Sequence, residues 1–404
     1  MNLKRTMLGA AIAAAVGSPA AYAVDLSQIS INGFGSVIGG MTLDDNETYF
    51  GNDDRLAFQP ESRFALQIGA PIGEKWSATA QILARGENNF DPAFEWAYIG
   101  YQATDDLKIL MGRQRFKIYK YSDYVDVGYA YPWLRTPQGV YALPFSSGDG
   151  VSAIYTTYSG DLEMTFTGAA QGITIPDYVA TGGELEPTNL NIELAYFTSA
   201  DFVYNELNFG FNVAYVPDFT LDIRNGSADL NKLMGVLETG NVDLDDNGTI
   251  DLVLPKSDQQ DIDDVDVSHD STLLYGVYFG YDPGPFFLLA EYTVIDYDPS
   301  ILADTESMYV TLGARHNLWT FHATYGIDKN EVSSSADTRV IPALASSVKA
   351  AISTQLEDST TTSFGVRYDI ETGIALKGDF TLYQNTEGPA VDAKVVAVGV
   401  DFVF

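Results

Sequence analysis

A period-two alternation of apolar and polar residues runs through almost the whole chain, and few folds accept such a pattern. Between residues 207 and 215, Leu207, Phe209, Phe211, Val213 and Tyr215 are large and apolar. The positions between them, Asn208, Gly210, Asn212 and Ala214, are small or polar. Successive side chains of a strand point to opposite faces, so the segment reads as a strand with one apolar and one polar face. The same alternation returns at 162–167, 190–196, 319–325, 364–368 and 374–382. It predicts sixteen strands: 29–43, 62–70, 76–86, 94–102, 106–115, 150–158, 162–170, 189–198, 206–216, 271–281, 286–295, 307–315, 319–328, 361–369, 374–383 and 394–404. An even number suits a closed antiparallel barrel with both termini on one side.

The links between these strands alternate in length. Short ones fall around 71–75, 103–105, 159–161, 282–285, 316–318 and 370–373, with a slightly longer one at 199–205. The intervening links are mostly longer, and those at 116–149, 217–270 and 329–360 are very long. A soluble sandwich has no reason to sort loop length by side. A barrel in a bacterial outer membrane does, with short periplasmic turns and long extracellular loops.

Composition is consistent with that class. The formal charge is −33, from 55 Asp and Glu against 22 Lys and Arg. A disordered acidic chain would be poor in aromatics, whereas this one has 22 Phe, 25 Tyr and 4 Trp. Nucleic acid is excluded as a partner, because phosphate binding needs clustered cations. The absence of Cys excludes disulfides, thiolate catalysis and iron–sulfur clusters. At the N-terminus, Lys4 and Arg5 precede an apolar run from 7 to 16 and the small-residue site Ala21-Tyr22-Ala23. This is a secretory signal peptide over 1–23, with the mature chain starting at Val24. No later apolar run is long enough for a transmembrane helix.

Aromatics fall at strand ends: Trp76, Tyr158, Tyr281, Phe286 and Trp319 at the short-turn side, Phe94 and Trp96 opposite. Rings of this kind sit at bilayer interfaces. The last strand alternates Val396, Val398, Val400 and Phe402 with small or polar residues, and the chain ends on Phe404. With the opening 31–35 (Ile-Asn-Gly-Phe-Gly) and the long third loop, these features resemble the sixteen-stranded general porins of Gram-negative outer membranes. The resemblance implies passive diffusion of small hydrophilic solutes and ions through a water-filled pore. It also implies a third loop, here 116–149, folded into the lumen as the constriction, and a homotrimer among lipid and lipopolysaccharide. Phe404 would be the signal read by the barrel-assembly machinery.

Function in such a pore is a matter of radius and lining charge. The basic candidates are Arg63, Arg85, Arg113 and Arg115. Arg63 shares parity with Gln67, and Arg85 with Ser77, Thr79 and Gln81, so both face the lumen. Arg113 and Arg115 share parity with Leu107, Ile109 and Met111. Either that strand meets a neighbouring subunit or a bulge after Gly112 turns both arginines inward. The third loop supplies Lys117, Lys120, Asp123, Asp126 and Arg135, with Asp123 and Asp126 expected as the acidic side of the aperture. Its many rings suit a loop that packs against an inner wall.

The loop at 217–270 carries 14 acidic and 3 basic residues. Within it Asp243, Asp245, Asn247, Thr249 and Asp251 have the spacing of the first nine positions of a calcium loop, Thr249 contributing its carbonyl. Position 12 is Leu254 rather than Glu. The other reading is an acidic solvated loop. No cofactor is required, and no catalytic motif appears, so the expectation is a non-enzyme. Three alternatives compete: a substrate-selective channel for anions, sugars or peptides, a plugged structural or adhesive barrel, and an outer-membrane hydrolase using His322.

Overall fold

A computed structural model describes residues 28–141, 143, 146–178, 188–221, 241–242, 250, 252–253, 267–297, 302–332, 353 and 355–404. Sixteen antiparallel strands close into a barrel. They are β1 (Ser30–Thr42), β2 (Arg63–Pro71), β3 (Trp76–Arg85), β4 (Pro92–Gln102), β5 (Leu107–Arg115), β6 (Ser147–Ser159), β7 (Leu162–Tyr178) and β8 (Thr188–Tyr204). After them come β9 (Leu207–Leu221), β10 (Ser268–Tyr281), β11 (Phe286–Tyr297), β12 (Asp304–His316), β13 (Trp319–Glu331), β14 (Glu357–Glu371), β15 (Ile374–Asn385) and β16 (Ala393–Val403). Each strand pairs with its sequence neighbours, and β1 pairs with β16 from Phe34↔Val403 to Thr42↔Val395. Closure leaves no edge strand. The signal peptide expected at 1–23 lies outside the described residues.

The alternation places the faces as read. On β9, Phe209, Phe211 and Tyr215 are exposed on the outer wall, while Asn212 and Ala214 are buried inside at 1% and 0%. Outward rings at Trp76, Tyr158, Tyr281, Phe286 and Trp319 cluster at the short-turn end. The short links are two to four residues and the opposite ones six or more.

Three details differ from the sequence reading. β8 gains its extra residues at the short-turn end, whereas β7 and β9 run further than predicted toward the long-loop end. There Ile173, Leu190, Ile192, Phe219 and Leu221 are packed inside while Thr174 and Glu193 are exposed on the other face, so past the register slip after Gln171 the apolar residues lie on the inner face. The predicted link at 199–205 is instead strand up to Tyr204, and the turn is Asn205–Glu206 with Asn205 at φ +50°. Asn accepts that left-handed conformation more readily than most residues. In β4 the register slips, with Gln81 opposite Trp96 and Ile82 opposite Phe94. The extra residue is Glu95, so Trp96 turns inward beside Tyr98 and leaves the outer ring predicted for it.

Candidate functional site

The segment between β5 and β6 turns inward and packs against the inner wall. Its Phe116, Tyr119, Tyr121, Tyr131, Trp133 and Val140 form one apolar cluster with Ile192, Phe197, Val216, Phe219, Leu274 and Tyr309 of the wall. Burying such rings is favourable only if their polar ends are satisfied. Trp133 Nε1 donates to Thr324 Oγ1 at 2.9 Å and Thr311 Oγ1 at 3.2 Å. Glu291 of β11, 3% exposed, accepts from the Tyr141 hydroxyl, from Tyr309 Oη at 3.1 Å and from the Lys120 backbone N–H at 2.9 Å.

Asp126 is the ionic centre of the loop. It is 2% exposed, and three guanidinium groups meet it: Arg63 and Arg85 at 2.8 Å each, and Arg115. Burial alone would raise its pKa, but Arg115, Arg85 and Arg63 outweigh that and hold it well below the usual carboxylate range. The bulged Glu95 is the second acid of the node, 2.7 Å from Arg85 and 3.5 Å from Arg115. The expected separation of loop acid from wall arginines across an aperture does not hold for Asp126. A carboxylate this buried needs counter-charges in contact, so these arginines fasten the loop. Elsewhere Arg135 makes a two-pronged pair with Glu61, at 2.6 and 2.7 Å.

Arg113 and Arg115 separate. The β5–β6 ladder runs without a slip from Leu107↔Tyr155 to Arg115↔Ser147, so no bulge follows Gly112, although Gly112 has φ +125°. Arg113 therefore stays on the outer face, pairing with Asp149 at 2.7 Å beside exposed Met111 and Val151. It is withdrawn from the pore-lining set. Arg115, paired with Ser147 at the end of the strand, has its guanidinium buried against Asp126 and Glu95.

Lys117, Lys120, Asp123 and Tyr124 keep partial exposure on the open side of the loop. Opposite them stand Asp201 of β8, Asn208 of β9 and Tyr278 of β10. Lys117 Nζ pairs with Asp201 at 2.5 Å, and the Tyr278 hydroxyl donates to the same carboxylate. Lys120 Nζ donates to Asn208 Oδ1 at 2.6 Å and lies 4.1 Å above the Tyr278 ring. Burial pushes the Lys120 ammonium down to about 8, and burial raises the Asp123 carboxyl. Arg63, Arg85 and the Gln67–Gln81 pair, 2.9 Å apart, line the other part of this space.

Sequence reasoning missed Glu61, Glu95, Asp201, Glu291, Arg367, Lys377, Asp379 and Asp401, all of which touch the loop or its anchors. For most of them parity was a usable signal, since Lys377 and Asp379 share the inward face of β15. Glu95 had none, because a bulge leaves no mark in the alternation. His322 is buried with neither ring nitrogen hydrogen-bonded among the described residues, and its nearest acid, Asp379, stands at 3.5 Å. Phe404 exchanges backbone hydrogen bonds of 2.9 Å with Gly33, and its ring stacks 6.1 Å from Phe64. Positions 243–249 and 251 of the candidate calcium loop lie outside the described residues. Their flanks, Asn241–Val242 and Leu252–Val253, pair antiparallel.

No protein-family model and no curated protein sequence matches this chain. Solved structures do. The chain is similar to the outer membrane channel DcaP of Acinetobacter baumannii at 11% identity and TM-score 0.56, covering 94% of this chain and 99% of that one. It is similar to an anion-selective porin from Comamonas acidovorans at 11% identity and TM-score 0.54, covering 93% and 99%. A third is OmpT, an outer membrane protein of Vibrio cholerae in a trimer form, at 10% identity and TM-score 0.51, covering 93% and 99%. At such identities the likeness is one of fold.

Proposed function

We propose that the chain is an outer-membrane porin, through which small hydrophilic solutes and ions diffuse passively along the space between the inner loop and the wall of β2–β9. The observation that carries this reading is the loop itself, 116–146, laid inside a closed sixteen-stranded barrel and fastened there by ion pairs. A barrel of about 16–18 strands is wide enough for an aqueous channel, so a loop that narrows it acts on solute size. The signal peptide expected from the sequence and the likeness to solved outer-membrane channels support the location. A homotrimer is part of the proposal, supported by the trimer form among the similar structures.

A second reading is a channel that prefers one solute class. It is favoured by Lys120 standing over Tyr278 beside Asn208, an arrangement with both apolar and polar contacts for a solute. Swelling of liposomes that contain the refolded protein separates the two. A general pore gives rates that fall smoothly with sugar size. A selective one gives a rate for one solute that departs from the size series, and absence of swelling with every solute contradicts both.

A further inference from the structure

We infer that Lys377 is the positioning residue that sets how far the inner loop projects into the pore. The inference rests on reading that loop as the constriction. Lys377 lies on the inward face of β15 and is 1% exposed. Its Nζ meets Gly128 O at 2.6 Å, Tyr131 O at 2.7 Å and Trp133 O at 2.8 Å, and Asp401 Oδ2 of β16 at 2.8 Å. An ammonium has three protons, so its donor capacity is fully used. Asp401, 0% exposed, is fixed in turn by Ser36 Oγ at 2.5 Å. Directly opposite Lys377 on β14, Arg367 donates to Tyr129 O at 2.7 Å and Tyr131 O at 3.1 Å.

The wall thus holds the loop by its main chain. Carbonyls at 128, 129, 131 and 133 lie outside the barrel ladder, in and after a short 3-10 turn at Gly128–Ala130, and two cations from adjacent strands meet them all. A buried cation is costly to desolvate, and an apolar residue of similar size would often serve stability as well. What an apolar residue lacks is the ability to draw three carbonyls to one point. Lys377 fixes the height and path of 128–133 whatever side chains the loop carries, so it sets aperture size from outside the aperture.

The absence of native Cys makes the test clean. A nitroxide attached through Ala130→Cys, an exposed position inside the held stretch, reports loop motion. It is compared in the otherwise native protein and in a Lys377→Met/Asp401→Asn variant, which leaves no unpaired buried charge. Arg367→Met provides a second variant with Lys377 intact. The expected result is an immobilised spectrum in the parent and a narrowed one in the double variant. Single-channel conductance should rise roughly twofold while the barrel stays folded by its heat-dependent gel mobility. An unchanged spectrum and conductance in the folded double variant would overturn the inference. So would a folded Arg367→Met protein whose spectrum narrows although Lys377 is intact, because the loop would then be positioned from β14 rather than by Lys377. If the spectrum narrows but even the parent conducts nothing, the anchoring stands and the porin reading falls.

Discussion

Asp126 makes the energetic case at the scale of one residue. Removing one member of a buried ionic group leaves its partners uncompensated, typically at about 3–5 kcal/mol. Asp126→Asn leaves Arg85 and Arg115 with Glu95, and Arg85 also with the exposed Glu87 at 3.9 Å. The expected outcome is a looser loop and a reversal potential shifted toward anions in a salt gradient. The pH dependence has a definite sign. The arginines hold the folded pKa of Asp126 below its unfolded value, so its contribution is complete above the ordinary carboxylate range. It is lost only as pH falls through the depressed folded value. Anchoring at this node should therefore survive acidification to about pH 4.5, read as unchanged conductance. Lys120, pushed down to about 8 by burial, behaves differently. Raising pH from about 7 to 9 removes one positive charge beside the open space. Ion preference should shift toward cations over that interval, and the shift should be missing in Lys120→Met.

At the scale of the strand, parity decides what a position tolerates. Phe211 faces outward near the middle of β9, and its neighbour Asn212 faces in. An Arg on the lipid face near the bilayer midplane costs about 2–4 kcal/mol. Phe211→Arg should lower the yield of heat-modifiable barrel, whereas Asn212→Ser should fold as the parent does. An equal loss from both would contradict the assignment of faces. This parity was legible in the sequence because lipid on one side and water or loop on the other impose opposite demands on alternate residues. Hence the sixteen strands, the inward Arg63 and Arg85, and the loop rings could be read in advance. Where the inner face turns apolar against the loop, as in the upper parts of β7 and β9, the parity of the pattern shifts and strand ends were placed early. The bulge at Glu95 was invisible because one extra residue changes geometry without changing composition. Arg113 and Arg115 were ambiguous because parity alone does not say where a guanidinium at the end of a strand is buried. Which acid meets which arginine depends on the path of an irregular loop, and no local pattern encodes that path.

Over the whole molecule, charge is segregated rather than uniform. The sequence carries 55 acidic and 22 basic residues, and 14 of the acids fall at 217–270. Inside the barrel the balance is close: Asp126 and Glu95 answer three arginines, Glu61 answers Arg135, Asp201 answers Lys117 and Asp401 answers Lys377. Exposed pairs weaken with salt, whereas these buried ones are screened little. The overall charge is therefore a poor guide to the ions that would pass, and the interior pairs serve chiefly to hold a loop in place. The central claim is that the held loop narrows the lumen and leaves it open. Current through planar lipid bilayers containing the refolded wild-type protein tests this most directly. The account predicts discrete steps with linear current–voltage behaviour and conductance proportional to salt concentration. Bilayers that take up folded, heat-modifiable protein and carry no current would contradict it.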